Sequence, residues 1–148
     1  MRQAPVRALL DVNVWIALFD DAHQFSPRAN AFVEAAGTRI ATCPLVENGV
    51  IRVLSSPHYS QRGVLAIQTV REKLRQAFDE LDCEFWPDDV SLRNDKIFNF
   101  ARVQGHNQIT DLYLLGLAVQ HGGCLASFDQ GIAISSVHAA KAEHLLIL

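Results

Sequence analysis

The sequence predicts one α/β domain over residues 1–148, built on a five-stranded parallel sheet sandwiched between helices. Short apolar segments alternate with segments of helical periodicity along the whole chain, which is the pattern of parallel strands joined by crossover helices. The length of 148 residues and the hydrophobic fraction of 49% suit a single domain with a substantial core. Neither a repeat nor a linker-like stretch divides the sequence.

The first half contains two strand candidates and three helix candidates. Residues 6–10 predict a short buried strand with Asp11 at its carboxyl end, and the apolar residues from Val12 onward predict the first helix. Ser26 and Pro27 have the signature of an N-cap followed by a first-turn proline. The remaining elements predicted here are the rest of that second helix up to Gly37, a strand over 39–42 and a helix over 44–54.

The second half continues the alternation and ends on a strand. Thr110 is predicted to be the N-cap of the most apolar helix, over 111–121, which Gly122 and Gly123 terminate. The other predicted elements are helices over 63–81 and 91–103 and strands over 83–86, 124–126 and 145–148. In open parallel sheets, binding sites form at the carboxyl ends of the strands.

Composition indicates the cellular compartment of the protein more clearly than its activity. The net charge of −3 and the pI near 6.0 are not typical of a nucleic-acid-binding protein. Net charge does not, however, describe the charge of a local groove. Cys43, Cys83 and Cys124 have no metal-ligand spacing, and the apolar strand-like contexts of Cys43 and Cys124 favour buried free thiols, which suits a reducing cytoplasm. No apolar run approaches the roughly 18 residues of a membrane span, so no membrane association is expected.

Four acidic residues lie where apolar segments meet turns or helix starts: Asp11, Glu47, Asp111 and Asp129. Carboxylates are almost never fully buried unless they are paired or bound to a metal. Oxygen-rich sites of high negative charge are what Mg²⁺ and Mn²⁺ require. The four acids therefore predict one metal site that collects charge from four segments of the sheet.

A simpler interpretation exists for three of them. Asp11 suits a helix cap, Asp111 suits the first turn of a helix, and Asp129 suits a turn. Glu47 differs, because it is interpreted as a mid-helix residue among apolar neighbours with no capping role. Taken together, the four favour a site.

Weaker candidates surround these acids. Asn13, Thr110 and Ser127 are predicted to support the acids, and each also suits a polar helix-start or capping role. Four arginines either form a basic strip for a phosphate backbone or are solvated helix positions, namely Arg52, Arg62, Arg71 and Arg75.

At these residues the chain resembles the PIN-domain ribonucleases, and within that family the VapC-type toxins of bacterial toxin–antitoxin pairs. The resemblance rests on four short motifs that occur in order over essentially the whole chain. They are Leu9-Leu10-Asp11-Val12-Asn13-Val14-Trp15, Glu47-Asn48, Ile109-Thr110-Asp111-Leu112-Tyr113-Leu114 and Ala126-Ser127-Phe128-Asp129.

The resemblance implies a Mg²⁺- or Mn²⁺-dependent endoribonuclease that hydrolyses RNA phosphodiesters with an activated water. It implies that Asp11, Glu47, Asp111 and Asp129 bind the metal, with Asn13 and Thr110 supporting them. It also implies a cytoplasmic homodimer that is neutralised by a cognate antitoxin protein. Many relatives have a basic residue after the fourth acid, where this chain has Gln130, so a phosphate contact at that position is not expected.

Two alternatives from other classes remain open. A Mg²⁺-dependent phosphatase acting on a small phosphoester would also use an aspartate after the first strand. The haloacid-dehalogenase-like phosphatases need a second aspartate two residues later, however, where this chain has Asn13. The other alternative is a non-catalytic module that binds RNA or protein and uses its carboxylates only as caps.

Overall fold

A computed structural model describes residues 6–59 and 63–148, and it contains one five-stranded parallel sheet with five α-helices. The elements in chain order are β1 (Ala8–Leu10), α1 (Val12–Phe19), α2 (Ser26–Glu34), β2 (Ile40–Thr42), α3 (Pro44–Leu54), α4 (Ile67–Glu80), β3 (Cys83–Phe85), α5 (Ile109–Gln120), β4 (Cys124–Ser127) and β5 (Leu145–Ile147). The predicted α/β class and the five parallel strands are confirmed.

The sheet has the order β3-β2-β1-β4-β5, which places β1 at its centre. Leu9 pairs with Ala41 of β2 on one side and with Leu125 of β4 on the other. All three residues are fully buried, as expected for central strands that are covered on both faces. This register brings the carboxyl ends of β1, β2 and β4 to one edge, which is where Asp11 begins the first connection.

Helix α1 packs against α2 and α3, and α3 packs against α4, while α5 packs against β1 and β4. Seven consecutive residues of α5 are buried, from Leu112 to Ala118, because the segment that follows β3 covers its outer side. Gly116 permits that cover, since a Cβ atom at this position would lie 2.5 Å from the Phe98 ring. Asp111, in the first turn of α5, is therefore a charged residue at the start of an almost completely apolar helix.

The helix predicted over 91–103 is wrong. This stretch consists of turns and one short 3-10 helix, Phe100–Arg102. The Ser91 hydroxyl and the Asn94 side-chain oxygen each accept a hydrogen bond from the backbone N–H two residues later, which favours turns over helix. Phe98 then anchors the segment, because its ring is buried against α5 with 2% exposure.

Two predicted caps are also wrong. Helix α5 begins at Ile109, so Thr110 lies inside its first turn, and α2 begins at Ser26 itself. A cap residue has non-helical backbone angles, but Gln108 before α5 is already in the right-handed helical region, and Phe25 takes the cap position before α2. Helix α4 begins at Ile67, later than predicted, and Gly63 has the left-handed angle φ of 116°. The remaining boundaries agree with the predicted ones to within a few residues.

The predicted burial of the thiols is confirmed for Cys43 and Cys124, whereas Cys83 is only half-buried on the edge strand β3. None of the described helices is both long enough and apolar enough to cross a bilayer.

Candidate active site

Asp11 is the most buried carboxylate at the carboxyl edge of the sheet, with 5% exposure. Its backbone N–H donates to the Ala126 carbonyl at 3.0 Å, which fixes it between β1 and β4. One carboxylate oxygen accepts a hydrogen bond from the Val12 N–H at 2.7 Å, so Asp11 caps α1 as one interpretation expected. The other oxygen accepts from the Ser127 hydroxyl at 2.8 Å. Burial raises the pKa of Asp11, and these two hydrogen bonds offset part of the rise.

Ser127 connects two of the acids. Its fully buried hydroxyl donates to Asp11 and accepts from the backbone N–H of Asp129 at 3.1 Å. The Asp129 carboxylate in turn accepts from the Gly131 N–H at 2.7 Å, which makes the predicted turn. Asp129 is exposed, yet its charge contributes to raising the pKa of Asp11. Asp129 therefore makes the predicted turn and also lies near Asp11.

Asp111 has the most strongly shifted pKa of the predicted acids, raised to about 7. Burial is the main cause, followed by the charges of Asp11 and Asp129 and a hydrogen bond to Asp129. Helix α5 supplies this position, because its apolar body fixes the first turn over the ends of β1 and β4. Asp11, Asp111 and Asp129 are therefore close enough to interact, and we refer to them as the aspartate trio.

Glu47 lies on the other side of the edge. It is in the first turn of α3 and half-buried, so its interpretation as a mid-helix residue is wrong. Burial raises its pKa, and the charge of Asp88 adds to the rise. Glu47 thus interacts with Asp88 and not, to a comparable degree, with the aspartate trio.

Asp88 is the residue of this edge that the sequence analysis missed. Its carboxylate accepts one hydrogen bond from the Leu45 N–H at 3.0 Å and another from the Tyr113 hydroxyl at 2.9 Å. Asp88 therefore joins the start of α3, which carries Glu47, to α5, which carries Asp111. An acid shortly after a strand is the signal that identified Asp11 and Asp129, and it would also have identified Asp88.

The remaining candidates lie nearby on the surface. Asn13 is exposed in the first turn of α1, and Thr110 is exposed immediately before Asp111. Of the proposed basic strip, Arg71 and Arg75 of α4 line a hollow together with Glu47. Arg52 lines a different hollow, and Arg62 lies outside the described residues.

The donor chemistry of this edge fits a hard divalent cation, because every candidate ligand is a carboxylate. Within the part of the chain that the structure describes, no three acidic, histidine or cysteine side chains stand at metal-coordinating separations. Burial, followed by the neighbouring carboxylates, raises the pKa values of Asp11 and Asp111, so their charged forms are disfavoured in the absence of a counter-ion. A cation among the aspartate trio would relieve that repulsion, so the residues present suit such an ion.

Known protein families provide a further test of what the fold and its acidic residues represent. The family model described as "PIN domain" matches residues 8–135, which span the first strand, the last acid and the helices between them. The chain belongs to the PIN-domain family. The resemblance inferred from the four motifs is therefore confirmed.

Individual relatives extend this likeness over nearly the whole chain. The chain is 38% identical over 144 residues to Ribonuclease VapC44 of Mycobacterium tuberculosis, covering 97% of this chain and 100% of that relative. It is 35% identical over 129 residues to Ribonuclease VapC29 of the same species, covering 84% of this chain and 87% of the relative. Ribonuclease VapC38 is 38% identical over 128 residues, covering 84% and 86% respectively. This PIN domain is thus of the VapC type.

Proposed function

We propose that this PIN domain is a Mg²⁺- or Mn²⁺-dependent endoribonuclease and the toxin of a toxin–antitoxin pair. The observation that carries the proposal is the aspartate trio, in which three carboxylates interact at the carboxyl edge of the sheet and Asp111 has a pKa of about 7. Such a concentration of negative charge is unfavourable without a cation. The names of the relatives, all ribonucleases, supply the substrate class.

The trio and Glu47 would hold the metal in this proposal. When bound, a divalent ion lowers the pKa of a coordinated water and neutralises charge that develops on the attacked phosphate. The protein's own part is orientation. Two hydrogen bonds hold Asp11 in a single carboxylate orientation, one from the Ser127 hydroxyl and one from the Val12 N–H. Asp111 would bind a proton near neutral pH when no cation is present, and would release it on loading.

The partners follow from the same proposal. RNA is the substrate, a cognate antitoxin protein neutralises the enzyme, and the enzyme acts as a cytoplasmic homodimer. Asn13 and Thr110 would contribute at the rim of the site, because both are exposed beside metal-ligand candidates. Ser127 would act from beneath it, through its buried hydroxyl.

The direct test is cleavage of single-stranded and structured RNA by the purified chain with Mg²⁺, with Mn²⁺ or with EDTA. We expect metal-dependent cleavage that Asp11→Asn abolishes, because the substitution removes one ligand charge at nearly constant volume. Circular dichroism of the variant controls for folding. Cleavage that persists in EDTA or in Asp11→Asn would contradict the metal mechanism, and hydrolysis of small phosphoesters without RNA cleavage would favour a phosphatase.

A second measurement tests the metal without requiring activity. Mg²⁺ or Mn²⁺ at millimolar concentration is expected to raise the thermal midpoint, because an ion that binds only the native state stabilises it by mass action. The rise should disappear in Asp11→Asn. An equal rise in both proteins would place the ion somewhere other than the aspartate trio.

A further inference from the structure

A cleft of about 190 Å³ opens beside two members of the aspartate trio. It lies between the start of α5 and the segment after β4, with Asp111 and Asp129 among the residues that line it. One water molecule needs only about 10–15 Å³ of such space, so the cleft has room for a planar ring. It is therefore large enough to receive a part of the substrate and not solvent alone.

The lining of the cleft is unsuited to a phosphate. Among the described residues that line it, the only charged side chains are Asp111 and Asp129, and both are acidic. Val103, Leu112 and Ile132 provide apolar wall. A second phosphate of an RNA backbone would be repelled here, whereas a neutral ring with a polar edge would gain apolar contact without electrostatic cost.

Two amides supply the polar contact that such a ring needs. Asn107 and Gln108 both line the cleft, and an amide side chain offers a donor and an acceptor together. The Gln108 side-chain oxygen already accepts a hydrogen bond from the Gln104 N–H at 2.8 Å, which commits that amide to the loop. Asn107 is exposed in the 3-10 turn His106–Gln108, so it is the amide better placed to meet a ligand.

We propose that this cleft binds one nucleobase of the RNA next to the scissile phosphate, and that Asn107 reads the edge of that base. The inference rests on the proposed function, because it takes RNA as the ligand. Unstacked bases are recognised in single-stranded RNA by apolar contact to the ring and by hydrogen bonds to its edge. The cleft offers both within reach of the acids that would hold the metal.

The experiment is cleavage of a randomised RNA by the full chain with Mn²⁺, followed by sequencing of the new ends. We expect the wild-type protein to prefer one base at one position beside the cut. Asn107→Ala should lower that preference roughly tenfold, which is the discrimination carried by a good amide–base contact. Ala133→Leu narrows the cleft from its lining and should slow cleavage at the preferred base more than at the others.

Gln104→Ala is the matched control, because this amide is exposed in the same loop but does not line the cleft. It should leave the base preference unchanged. Circular dichroism and the thermal midpoint establish that each variant is folded. Wild-type cleavage with no base preference beside the cut would overturn the base site while leaving the nuclease intact. The base site would also be overturned if Asn107→Ala and Ala133→Leu both kept the full preference.

Complete absence of cleavage would count against the proposed function instead, and the cleft is then tested by binding. Fluorescence anisotropy with short oligoribonucleotides that differ in one base, in EDTA, measures whether affinity depends on the base. A base-dependent affinity that Asn107→Ala removes would support the site. Equal affinities for all bases in the wild-type protein would overturn it.

Discussion

The acidic residues on the two sides of the carboxyl edge of the sheet differ in their burial and in their interactions. On the aspartate side, which comprises Asp11, Asp111, Asp129 and Ser127, one carboxylate is 5% exposed and its neighbours add negative charge. On the Glu47 side, which comprises Glu47, Thr42 and Asp88, the glutamate is half-buried at a helix start, and Asp88 is used as a link between helices. On the first side, three acidic groups lie close together although burial disfavours their charged forms. On the second side, the Asp88 carboxylate links two helices.

This difference indicates that the two sides of the edge would have different roles. Repulsion among the aspartates is a cost that only a proton or a cation relieves, so that side is suited to hold a metal. The hydrogen bonds of Asp88 to Leu45 and Tyr113 are satisfied within the protein. They set the separation between the start of α3 and the start of α5, and with it the position of Glu47 relative to Asp111.

Among the variants that compare the two sides, the largest expected effect comes from Glu47→Gln, which tests whether the two sides act together. We expect cleavage to fall by more than the roughly 10–100-fold that is typical for residues outside the metal's direct ligands. The thermal midpoint in EDTA should not fall, because burial already disfavours the charged form of Glu47. Rates are measured at saturating Mn²⁺ beside Glu34→Gln, an exposed glutamate of α2. Retained cleavage would assign the reaction to the aspartate side alone.

Ser127→Ala tests the buried support of the aspartate side. The variant removes the hydroxyl that donates to Asp11 at 2.8 Å, and we expect metal affinity to fall by about 10–100-fold. Stability should fall by about 1–3 kcal/mol, because a buried carboxylate loses a hydrogen bond. Isothermal titration with Mn²⁺ and urea unfolding measure the two effects. Unchanged metal affinity with lower stability would make Ser127 a purely structural residue.

The pH dependence of stability tests the aspartate side through Asp111. The pKa of Asp111 is about 7 in the folded protein, and that of an unfolded aspartate is about 3.9. The folded state therefore binds more protons between these values, so the free energy of unfolding decreases as pH rises through this window and levels off above it.

Thermal midpoints in EDTA from pH 5 to pH 8 should show this decrease, and Asp111→Asn should reduce it. Millimolar Mg²⁺ should also oppose it, because the cation competes with the proton for the same carboxylates. An identical slope in the wild-type protein and in Asp111→Asn would show that another group causes the dependence.

The smallest expected effect is that of Tyr113→Phe on the Glu47 side. The variant deletes the hydroxyl that donates to Asp88 at 2.9 Å, and we expect it to cost about 0.5–1.5 kcal/mol in urea unfolding. Cleavage should fall modestly, because α3 and α5 remain joined by packing. Tyr59→Phe, another tyrosine that donates to an aspartate but lies away from this edge, is the control for stability. Equal cleavage in both variants would mean that the link does not position Glu47.

The sequence by itself determined the fold class and most of the elements of this PIN domain. Apolar strands such as Ala8–Leu10 and the apolar helix Ile109–Gln120 are local patterns, so alternation alone predicts a parallel sheet. The same alternation places Asp11 and Asp129 after strands, at the edge where sites form. Turn chemistry was harder to predict, and the residues around Ser91 and Asn94 bond to their own backbone where a helix was expected.

Only the tertiary structure decided which acids interact. Burial, and the distance between residues far apart in sequence, set the pKa of Asp111 and the hydrogen bond from Ser127 to Asp11. The tertiary structure also showed that Glu47 interacts with Asp88, although no sequence spacing connects these two residues. Local patterns specify where a side chain leaves the sheet, but electrostatic interactions depend on separations that exist only after the chain has packed.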